Sequence, residues 1–74
     1  MLTGHRFKMK TSTLATDLID GKRVSVAIPA GATVNVIAGP GKGDRMVDVL
    51  WEGRTLVMFA IDVTGRGEEI ADRA

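Results

Sequence analysis

The sequence has no cysteine and no tyrosine, and its 74 residues include one tryptophan, two phenylalanines, two prolines and one histidine. Each scarcity removes a chemistry. Without cysteine there is no disulfide to staple a small fold and no thiolate zinc site. The single histidine, His5, precedes the first expected strand and reads as a tail residue. It has neither the further imidazoles nor the clustered carboxylates of a metal site, nor the partner that a general base requires. Ser12 and Ser25 lack any nucleophile context. Asp48, Glu52, Asp62, Glu68 and Glu69 form no spaced acid–base pair, so a non-catalytic chain with no cofactor is expected. No apolar run approaches the roughly 20 residues of a membrane span. The start "MLTGHRFKMKTST" has no apolar signal core, and a cytoplasmic protein is the expectation.

Charge of one sign is also scarce. The formal net charge is +1 and the pI about 8.2. A strong electrostatic footprint on nucleic acid calls for clustered charge and a pI above about 9. The chain is short enough to be one domain over residues 1–74, with a core from about 6 to 70 and a frayed tail at 71–74. A domain of this size buries only about 60% of its unfolded surface. With disulfides and thiolate metal sites excluded, a partner subunit is the remaining way to add burial, and a homo-oligomer is expected.

What the sequence does have is valine and isoleucine in short runs, punctuated by Gly, Pro and Asp. That is strand-and-turn composition. A first strand is expected over Arg6 to Thr13, with Phe7, Met9 and Thr11 on one face. Asp20-Gly21 is a favoured hairpin turn. In "RVSVAIPA", Val24, Val26 and Ile28 alternate with Ser25 and Ala27, which predicts a half-buried strand. "TVNVIAG" places Val34 and Val36 inward and Asn35 outward. Then "RMVDVLW" and "RTLVMFAID" flank Glu52-Gly53. A two-residue turn there sets Trp51 opposite Arg54, Val49 opposite Leu56 and Val47 opposite Met58, so Val47, Val49, Leu56 and Met58 share one apolar face. A 3₁₀-like turn is expected near Ile61 to Thr64 and a last strand near Glu68 to Ile70.

Five to six short antiparallel strands with tight turns predict an all-β fold, a small closed barrel. The order "VSVAIPAGATVNVI", glycine loop, "RMVDVLW", "EG", "RTLVMFA", one-turn segment and "EEI" resembles an SH3-like barrel over about Val24 to Ile70. "IPAGATVNV" and "DVLWEGRTLVMFAIDVTGRGEEI" are similar to a group of short uncharacterised bacterial proteins, a resemblance that implies the same fold and no known activity. SH3 domains hold Pro-rich peptides on a row of aromatics. The resemblance places Met46 at the ligand-stacking tryptophan position, Phe59 near the conserved proline and Asp62 or Val63 at the tyrosines. That aromatic groove is missing here.

The stretch "VIAGPGKGDRMV" looks most like a binding loop. A phosphate-cradling loop needs G-x-x-x-x-G-K-[ST] running into a helix. Here Lys42 is followed by Gly43 and Asp44, and a strand is expected next. "VNVIAGPGKGDRMVDV" also resembles the KOW motif of ribosomal and transcription proteins, which implies RNA as a partner, with Met46 standing where that pattern has glycine. The cations a nucleic acid would meet are Arg6, Lys8 and Lys10 on the first strand and Lys42 and Arg45 in the loop. Trp51, before the Glu52-Gly53 turn, is expected to cap one end of the barrel with Arg54 across its ring. A third class is an enzyme assembled only in an oligomer, as the plasmid-type dihydrofolate reductases assemble on SH3-like barrels. None of that family's active-site motif is present.

The second face of the Glu52-Gly53 hairpin is the other candidate. Met46, Leu50, Val57 and Phe59 lie there with Asp48, where an ordinary half-exposed hairpin would be polar. These four residues are expected to form an interface with a second copy or another protein, unless the N-terminal arm covers them.

Overall fold

A computed structural model describes residues 2–70. Seven strands and one helix follow in the order β1 (Arg6–Met9), β2 (Thr13–Ile19), β3 (Lys22–Ile28), β4 (Thr33–Ala38), β5 (Met46–Trp51), β6 (Arg54–Phe59), α1 (Ala60–Arg66) and β7 (Gly67–Ile70). All pairings are antiparallel, in one sheet of order β3-β2-β6-β5-β4-β1-β7. Among the described residues the sheet does not close, and β3 and β7 are its edges. The tail at 71–74 lies outside the described residues.

The two hairpins follow from their turns. Asp20 and Gly21 have φ of 51° and 77°, and Glu52 and Gly53 have 51° and 76°. Two successive positive φ values give the tight turn whose twist matches the flanking strands. The second turn sets Trp51 opposite Arg54, Val49 opposite Leu56 and Val47 opposite Met58. Val47, Val49, Leu56 and Met58 are all buried, as their alternation predicts. So are Val34 and Val36, with Phe7, Met9, Ala15, Ile28 and Val63 completing the core.

Three expectations need correction. The strand expected over Arg6 to Thr13 is two strands, which raises the total to seven. Met9 N donates to Ala32 O (2.8 Å), Met9 O accepts from Gly31 N (2.7 Å) and Lys10 N donates to Arg66 O (2.7 Å). These bonds hold the chain where it leaves the ladder, so Thr11 is exposed rather than core-facing. The expected 3₁₀ turn is an α-helix of seven residues. Its one buried side chain, Val63, drops into the core. Ala60 N bonds to Arg45 O (2.8 Å), and Asp62 pairs with Arg66 one turn on (3.5 Å). The closed barrel is an open sheet, with α1 packed on β1, β6 and β7. No helix of the described residues is long and apolar enough to cross a membrane.

The β2–β3 hairpin projects beyond the core. Val24, Val26 and Ile28 do share the inner face, but their exposure rises toward the tip, from 0% at Ile28 to 41% at Val24. The hairpin joins the rest of the sheet through a single paired position, Thr16 opposite Val57.

Candidate functional site

The outer face of β2, β6 and β5 is built around Val57. Thr16 lies opposite it on β2 and Asp48 opposite it on β5. Cross-strand partners share a face. The same parity brings Phe59 beside Met46 and Thr55 beside Leu50. The four residues expected as an interface therefore do lie on one face. Met46 and Val57 are half-buried, Leu50 and Phe59 exposed.

The face is larger than the hairpin alone. β2 has an inverted pattern: Thr13 and Ala15 point inward and are buried, while Leu14 and Leu18 point outward and are 64% and 67% exposed. A strand that only lined a core would do the reverse. Sequence reading did not reach these leucines, because "TLATDLI" alternates with the wrong sense for a core strand. Two shallow grooves cross the surface. One of about 260 Å³ is lined by Thr16, Leu18, Arg23, Met46 and Val57. The other, of about 300 Å³, runs past Leu14, Met46, Val57 and Phe59.

The N-terminal residues do not lie on this face. Gly4 N donates to Val36 O (2.8 Å), Thr3 Oγ1 donates to Gly39 O (3.0 Å), and Leu2 packs against the core. They run along β4, the strand beside β5, and leave Leu50 and Phe59 of the face exposed. The side chain of Asp48, half-buried on β5, has no hydrogen bond or ion pair among the described residues. Nor has that of the exposed Arg23 at the rim of the face.

The five cations of the nucleic-acid reading are spread apart. Lys8 aligns with Thr33 at the start of β4, whereas the loop of Lys42 and Arg45 begins after Ala38. Five residues of strand, about 16 Å, separate the two levels. Lys8 also faces Glu68 on β7, and Arg6 sits half-buried between Asn35 and Ile70. Lys10 is exposed beyond the end of β1. In the loop, Asp44 Oδ1 accepts from Met46 N (3.0 Å) and Gly39 and Gly43 take positive φ, so the segment has the geometry of a strand connection. His5 pairs through Nδ1 with the Glu69 carboxylate at the surface. Trp51 packs against the core, and Arg54 donates to Asp17 of β2, tying β6 to the hairpin on the tip side of Thr16. No group of three or more His, Cys, Asp or Glu among the described residues is placed to hold a metal.

Compared with known proteins, the chain matches no family model, no curated protein and no solved structure.

Proposed function

We propose that the chain is a small binding module of SH3-like strand order that associates with itself through the outer face of β2, β6 and β5. The observation that carries this reading is the inverted pattern of β2, which turns Leu14 and Leu18 outward beside Val57 and Phe59. Apolar side chains gathered on one face of a monomer mark an interaction surface. A stable interface needs about 800 Å² per partner, close to a sixth of the 4961 Å² surface of the described chain. The SH3-like part of the proposal rests on element order: a strand, a projecting hairpin, three meander strands, a short helical segment and a last strand paired with the first.

Sedimentation equilibrium tests the function. The wild-type chain is expected to sediment as an oligomer at micromolar concentration, and Phe59→Asp as a folded monomer. A wild-type chain that stays monomeric at high concentration refutes the proposal, as does Phe59→Asp with an unchanged mass.

A further inference from the structure

Two charged side chains on the face have no partner within the described chain. Asp48 lies on β5 at one side of the face and Arg23 on β3 at the other. Leaving a half-buried carboxylate unpaired under an apolar interface would be costly, since desolvation penalises the charged form. The cost is met if the partner brings a cation to the same place.

We infer that the partner is a second copy related by a two-fold axis, and that Arg23 of each copy pairs with Asp48 of the other. This rests on the self-association proposed above and adds its register. The row Ser25–Thr16–Val57–Asp48 runs straight across the face from β3 to β5. At the strand spacing of about 4.8 Å, its ends are about 14 Å apart. Arg23 is two residues along β3 from Ser25, on the same face and opposite Leu18. An axis lying in the face and bisecting the line from Arg23 to Asp48 passes close to Leu18, Thr16 and Val57. Those residues line the groove of about 260 Å³. In an isologous interface, contact of residue i with j implies contact of j with i. One axis thus forms both ion pairs and sets the apolar centre of the face against its own copy. The two charges fix the register, while the leucines and Phe59 supply the buried area.

Charge reversal tests this. Arg23→Asp presents only carboxylates at the two sites, and Asp48→Arg only guanidinium groups. Each variant is expected to be monomeric where wild type is dimeric, and an equimolar mixture to restore the dimer as a one-to-one heterodimer. The double variant Arg23→Asp/Asp48→Arg is expected to self-associate again. Because arginine at half-buried position 48 is a severe change, Asp48→Asn is the second probe, expected to weaken self-association by at least about tenfold. Circular dichroism checks that each variant is folded. Dimeric single variants, or a mixture that fails to associate, overturn the pairing while leaving the apolar interface standing. A monomeric wild-type chain overturns both.

Discussion

At the scale of single residues, two glycines in the same short segment have opposite roles. Gly67 is buried against Met9 and Phe7, and a methyl group there would stand 2.5 Å from Val63 O. The obstacle is backbone and cannot swing away. Its φ of −112° suits any residue, so the restriction is one of space. Gly65, on α1, would meet nothing within 4 Å. We expect Gly67→Ala to lower stability by about 1–3 kcal/mol and Gly65→Ala to raise it by about 0.5–1 kcal/mol. Chemical denaturation of both variants checks the pair, and equal effects would mean that the close approach at Gly67 is absent. Nothing in "VTGRGEEI" distinguishes the two glycines. The three-dimensional packing does: the end of α1 closes over Gly67 at Val63 O, and β1 stands behind it with Met9 and Phe7.

At the scale of elements, the turns are where sequence and structure agree best. A two-residue hairpin turn fixes the register of both strands, and with it the burial of Val47, Val49, Leu56 and Met58. Asp20 is suited to the left-handed conformation, but Glu52 holds the same φ of 51° without a side chain that favours it. Glu52→Asn is expected to stabilise the fold by about 0.5–1 kcal/mol, read as a higher denaturation midpoint with unchanged slope. A drop in the midpoint would refute this account of the turn. The helix was less legible. With Gly65 and β-branched Val63 and Thr64, α1 has weak intrinsic propensity, and it is the seating of Val63 in the core that turns the segment into a helix. β2 was hardest to read. Its inward residues, Thr13 and Ala15, are not the apolar ones, and period-two reading assumes that apolar means core. The Met46, Leu50, Val57 and Phe59 part of the face was legible because a known register assigns every residue of that hairpin to a side. The leucines of β2 became visible only with the placement of Thr16 beside Val57.

At the scale of the molecule, the outward leucines separate association from folding. Leu14 and Leu18 contribute little to the monomer's core, so the double variant Leu14→Ser/Leu18→Ser is expected to dissociate the oligomer. Its monomer should keep its stability within about 0.5 kcal/mol. For the wild-type chain, the melting temperature is expected to rise with protein concentration, because association stabilises the folded state by mass action. In the double variant it should not. A concentration-independent melt of the wild-type chain would contradict association through this face.

The β2–β3 hairpin, paired with the sheet at Thr16 and Val57 and tied again by the Asp17–Arg54 pair nearer its tip, has a further consequence for local unfolding. Its outer half, with few buried side chains, can open without the rest of the sheet, and its amides then exchange with solvent through that opening. The same hairpin carries Leu14, Leu18 and Arg23 to the proposed interface, so a second copy would bind over side chains that the monomer leaves exposed. Hydrogen exchange in the hairpin should therefore slow as protein concentration rises. Assembly would then hold closed the end of the hairpin that projects beyond the core.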